Sequence, residues 1–73
     1  MKTKEELYDL YLSHAQDAEW ETTDRVDPYT IECNISLNVD GYEFAGYGSI
    51  CSGEKDIESL VCICPDGTTV SII

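Results

Sequence analysis

Four cysteines, one histidine and fifteen carboxylates are the side chains here with chemistry to offer. Thiolates bind zinc or attack carbonyl carbons, an imidazole carries protons, and carboxylates do acid–base work, hold hard cations or pair with cationic partners. Their spacing argues against most of these roles. A zinc site needs four ligands converging at ~2.3 Å from sulfur, usually on C-x2-4-C knuckles, and Cys62-Ile63-Cys64 is too tight for one. His14 falls on the apolar stripe of a helical pattern. A Cys33–His14 pair across the core would be buried without an oxyanion hole or a cleft. Glu19 and Glu21 lack the apolar pocket that would raise one carboxyl pKa. Calcium loops of the D-x-D-x-D-G kind, phosphate loops and dinucleotide glycine motifs are all missing from the sequence. The chain therefore reads as a non-enzyme with no cofactor and no metal, and its cysteines read as small apolar thiols.

What remains is charge. Fifteen acidic residues against four basic ones give a net charge of −11 and a pI of about 4.1. Such an excess opposes compaction by self-repulsion, yet speeds encounter with basic surfaces. It argues against direct binding of nucleic acid, whose phosphates need Lys and Arg. Asp17, Glu19, Glu21, Asp24 and Asp27 cluster with only Arg25 among them, and Glu32, Glu43, Glu54, Asp56 and Glu58 carry the charge onward. Two readings of the cluster stay open: a row of carboxylates offered to a cationic partner, or a solvated acidic connector.

A chain of 73 residues makes a single domain, residues 1–73, that buries only about 60% of its unfolded surface. That leaves little room for a deep catalytic pocket. A hydrophobic content of 42%, with five Tyr and one Trp, is too high for a disordered acidic tail. The start, Met1-Lys-Thr-Lys-Glu-Glu, has no apolar signal-peptide core, and no apolar run approaches the ~20 residues of a membrane span. The expectation is a cytoplasmic protein with no membrane partner and reduced thiols.

The elements that must position these groups follow from periodicity. Thr3-Lys-Glu-Glu6 is a capping box, and Leu7, Leu10, Tyr11, His14 and Ala18 recur at helical spacing, predicting a helix over about 4–18. Residues 19–28 show neither period and read as an acidic connector anchored by Trp20. From Tyr29 the period becomes two, through Ile31, Cys33, Ile35, Leu37 and Val39. Asp40-Gly41 is the preferred pair for a two-residue hairpin turn. A loop at 53–56 and an Asp66-Gly67 turn complete a four-stranded antiparallel β-meander over about 29–73. The fold class predicted is α+β, with the N-terminal helix packed on the meander.

The turns imply a register. Asp40-Gly41 pairs Val39 with Tyr42, Leu37 with Phe44, Ile35 with Gly46 and Cys33 with Gly48. A four-residue loop at 53–56 pairs Gly48 with Val61 and Gly46 with Ile63. The third turn pairs Ile63 with Val70. Gly46 and Gly48 would then leave room for the helix to press close. The opposite face would carry Tyr47, Leu60, Cys62 and Ile73. One helix cannot cover both faces of a sheet, so this patch is expected to be an interface.

In size, acidity and topology the chain resembles the small inhibitor proteins of phages and mobile elements: anti-CRISPR proteins, anti-restriction proteins and uracil-DNA glycosylase inhibitors. The resemblance rests on style and not on a signature motif. It implies a DNA mimic whose carboxylates occupy a nucleic-acid site in place of phosphates. The partner expected is a basic, nucleic-acid-handling protein, steered in electrostatically. The connector acids Asp17, Glu19, Glu21, Asp24 and Asp27 are the first candidate contacts, and Glu32, Glu43 and Glu58 the second. Trp20, Tyr47 and Leu60 are the candidate apolar anchors. The alternatives are a small domain that forms a homodimer through the open sheet face, and an acidic immunity protein for a basic toxin.

Overall fold

The computed structural model describes residues 2–73. Helix α1 spans Lys4–Ser13. The capping box forms as the sequence implies: Thr3 Oγ1 accepts from the Glu6 N–H at 3.2 Å, and Glu6 Oε1 accepts from the Thr3 N–H at 2.9 Å. That second bond holds the Glu6 carboxyl below its usual range. The helix stops short of residue 18. His14 is its C-cap, with Nδ1 3.1 Å from the Leu10 carbonyl, and a 3-10 turn over Ala15–Asp17 follows. No basic residue sits in the last turn to offset the exposed carbonyls there, and Asp17 would oppose the dipole of a longer helix.

Five strands follow in sequence order: β1 Glu19–Asp27, β2 Thr30–Val39, β3 Tyr42–Cys51, β4 Glu54–Ile63 and β5 Thr69–Ser71. They form one antiparallel sheet, each strand beside the next. The expected connector at 19–28 is thus an edge strand. It lacks a period because all of it except Trp20 is exposed and because its pairing with β2 shifts register twice, around Thr23 and around Val26. Each shift is a bulge that breaks the two-residue alternation.

The β2–β3 register is the one implied by Asp40-Gly41, from Val39↔Tyr42 to Cys33↔Gly48. Both turn residues have positive φ, 49° and 85°, as a type I′ turn requires. The β3–β4 register differs from expectation. Ser52 and Gly53, also at positive φ, make a two-residue turn, so Gly48 pairs with Ile57 and Gly46 with Leu60. The extra residue between those pairs is Glu58. This bulge reverses the faces of the rest of β4: Leu60 and Cys62 turn inward and are fully buried, while Val61 and Ile63 face out. At the next hairpin Cys62 pairs with Val70, in place of the expected Ile63–Val70 pair.

The core lies between α1 and one face of the sheet. It comprises Leu7 and Tyr11 from the helix with Ile35, Leu37, Val39, Phe44, Leu60, Cys62 and Ile72. Tyr11 and Phe44 meet with ring centroids 5.6 Å apart and tilted by 53°. The two strand glycines do not make room for the helix, as their position suggested. A Cβ on Gly46 would overlap the Ser59 carbonyl, and one on Gly48 the Asp56 carbonyl. They are required by the close approach of β4. No helix among the described residues is long and apolar enough to cross a membrane.

A candidate protein-binding face

The pairing registers sort every strand side chain onto the helix-covered face or the open face. On the open face Asp24, Glu32, Ser49 and Asp56 form one cross-strand row. The next row is Glu21, Asn34, Tyr47 and Ser59, and the one after is Glu19, Ser36, Ala45, Val61 and Ser71. Asn38, Glu43, Ile63 and Thr69 follow. Carboxylates therefore rim a central strip of Tyr47, Ala45, Val61 and Ile63. Tyr47 is 54% exposed, and Ile73 beside β5 is 46% exposed.

The bulge at Thr23 brings Asp24 to this face: strict alternation from Glu21 would put it on the other. The Thr23 hydroxyl donates to the Glu32 carbonyl at 3.3 Å, and the Arg25 N–H donates to Asp24 Oδ1 at 2.8 Å. Residues two apart on a strand stand ~7 Å apart, and neighbouring strands ~4.8 Å, so each carboxylate can meet its own cation. The cations of the strands lie on the opposite face. Arg25 pairs with Ile31 and Lys55 with Ile50. Among the described residues, no strand brings a Lys or Arg to the acidic face.

Lys55 Nζ sits 5.2 Å from the centroid of the Trp20 ring, a cation–π distance. Trp20 is on β1 and Lys55 on β4, about 14 Å apart laterally in a flat sheet. The contact draws one diagonal of the sheet together on the helix side. The molecule is elongated, 42 × 20 × 17 Å.

The candidate residues fall as follows. Glu19, Glu21, Asp24 and Glu32 share the open face with Tyr47. Asp17 joins them through a shallow depression of about 200 Å³ lined by Asp17, Glu19, Ser36, Leu37 and Asn38. Glu43 lies at the far end of the face, and Glu58 at the bulge between Ile57 and Ser59. Asp27 ends β1 opposite Thr30, in line with Glu32 on the open face, and its Oδ1 accepts from the Tyr29 N–H at 2.8 Å. Two anchors are corrected. Leu60 is fully buried in the core, because the Glu58 bulge turns it inward. Trp20 lies half-buried on the helix side beneath Lys55, in the row of Ile35. Asp56, Val61 and Ile63 also belong to the open face: the tight Ser52-Gly53 turn brings Asp56 into β4 where a loop at 53–56 was expected, and the Glu58 bulge, invisible to alternation, turns Val61 and Ile63 outward.

The thiols offer little chemistry. Cys33 and Cys62 are buried and Cys51 is exposed, its sulfur accepting from the Thr30 hydroxyl at 3.3 Å. Burial, with a smaller contribution from Cys64, pushes the Cys62 thiol up to about 11, which keeps it protonated and unreactive. Among the described residues, no group of three His, Cys, Asp or Glu side chains is placed to hold a metal ion.

Comparison with protein-family models, with curated proteins and with solved structures finds no match.

Proposed function

We propose that this protein is a non-enzymatic inhibitor that binds a basic, nucleic-acid-handling protein and blocks its substrate site. The open acidic face makes the contact. One observation carries the reading: the strands segregate their charges, with Glu19, Glu21, Asp24, Glu32 and Asp56 on the open face and Arg25 and Lys55 on the other. A merely soluble surface mixes signs. Here the carboxylates stand in cross-strand rows, a series of anions as on a nucleic-acid strand, with Tyr47 among them as an apolar contact. Such a target would be met in the cytoplasm of a bacterial or host cell.

DNA cleavage by a panel of purified nucleases, including a CRISPR effector loaded with guide RNA and restriction endonucleases, tests the reading. Inhibition of at least one enzyme, relieved by excess DNA and lost when Glu19, Glu21 and Asp24 are changed to Lys, is the expected result. A triple variant that inhibits as well as the parent removes the acidic face from the mechanism.

One observation favours a second reading. Tyr47, Val61, Ile63 and Ile73 leave apolar area uncovered on the open face, and a homodimer would bury it. Light scattering distinguishes the two: a dimer that Tyr47→Glu converts to monomer supports self-association, and a monomeric parent removes it.

A further inference from the structure

Tyr29 is the most exposed large hydrophobic residue described, at 75%, and Val26 follows at 58%. Both sit at the tip of the β1–β2 hairpin, beside the tip that joins β3 to β4. An exposed aromatic is usually loose, but this one stands on a fixed backbone. Its N–H donates to Asp27 Oδ1 at 2.8 Å, and its carbonyl accepts from the Ser52 N–H of the neighbouring turn at 2.9 Å. An aromatic held this way loses little freedom on docking, which is what makes Tyr an effective anchor.

We infer that this tip is a second contact element, in which Tyr29 and Val26 seat in an apolar socket rimmed by Lys and Arg on the basic partner. The inference rests on the acidic-face reading and extends it from a charged surface to a surface with a plug at one end. Charge complementarity sets the rim: Asp24 and Asp27 flank the plug. A second copy of the chain makes a poor socket. One of its depressions is lined by Asp17 and Glu19, another, formed by Tyr42, Cys64 and Pro65, offers Lys2 as its one cation beside Asp66, and two copies at −11 each repel. The partner is therefore a different, cation-rich protein. Asp27 acts as a positioning residue, through the turn that holds Tyr29.

The test immobilises four forms: the parent, Tyr29→Ala, Tyr29→Trp, and the triple change of Glu19, Glu21 and Asp24 to Lys. Each is challenged with the heparin-retained proteins of a bacterial lysate, and Kd is then measured with the purified protein that the parent holds. The Ala variant should unfold at the parent's midpoint, since the ring is exposed, yet bind roughly tenfold or more weakly. That loss should persist at high salt, because the contact is apolar, and Trp at this position should bind within about threefold of the parent. Unchanged affinity of Tyr29→Ala overturns the plug and leaves the acidic face standing. A parent that holds no basic protein overturns both. If the triple variant holds the same protein as tightly as the parent, the acidic-face reading falls, and the plug with it.

Discussion

Asp24 on β1 stands directly opposite Glu32 on β2. Like charges in this position repel, and opposite charges would attract by roughly 0.2–1 kcal/mol. No strand cation shares their face to offset the cost. Glu32→Lys should therefore raise the unfolding free energy by about 0.5 kcal/mol while weakening inhibition. Denaturant midpoints measured beside cleavage assays check both halves. A variant that gains stability and keeps full inhibition would separate this pair from function.

Repulsion of this kind is screened by salt. With a net charge of −11, the folded state should gain stability between 10 and ~300 mM NaCl, as the Debye length shrinks below about 10 Å. Thermal melts across that range give the answer. A melting temperature that falls with salt would mean the acids are compensated within the fold.

Glu58 is the extra residue of the β4 bulge, without a partner on β3. Glu58→Ala should leave stability within about 0.5 kcal/mol of the parent, as surface changes do. Deleting residue 58 removes the bulge yet leaves Ser59 opposite Tyr47 and Leu60 opposite Gly46, so that variant should still unfold cooperatively. One residue inserted after Ser59 instead turns Leu60 and Cys62 to the open face and should abolish cooperative unfolding. Circular dichroism with urea titration separates the two. Gly46→Ala should also be severe, costing about 3 kcal/mol or more, because the Ser59 carbonyl occupies the space its methyl needs. Gly53→Ala, with open space around it, should cost only about 1–2 kcal/mol for its positive φ.

Thiol chemistry gives a probe of the core. At pH 8 Cys51 should alkylate readily and Cys33 and Cys62 only on unfolding. The folded-state pKa of Cys62 lies above its unfolded value, 9.0 rising to about 11. Its contribution to stability is therefore complete below pH 9 and lost as pH rises from 9 to about 11. Burial raises Tyr11 in the same direction. Cys62→Ala should remove part, but not all, of the alkaline destabilisation in pH-dependent urea melts. An unchanged pH profile would place the Cys62 thiol outside the linkage.

Much of the fold was legible in local signals. Thr3 and Glu6 mark the helix start, because a capping box needs only four residues. Asp40-Gly41 sets ten residue pairs between β2 and β3, because a type I′ turn admits one register. The acidic excess is additive over the chain and needs no structure to read. The β3–β4 pairing was misread because Ser52-Gly53 is a less distinctive turn, and because Glu58 looks like any exposed strand residue until its neighbours are paired. Tyr29 was misread for a related reason: the alternation of β2 extends through it, but Asp27 captures its N–H and ends the strand at Thr30.

By itself, then, the sequence determined an α+β chain with an inward row of Cys33, Ile35, Leu37 and Val39, and a net charge of −11. Tertiary structure alone decided which acids share a face. Strand alternation places side chains by parity, and each bulge adds one residue and reverses it. The bulge at Thr23 sends Asp24 to the face of Glu21 and Glu32, and the one at Glu58 sends Leu60 into the core. Where a bulge falls depends on how two strands meet around the helix-side packing, which is not a property of either strand alone.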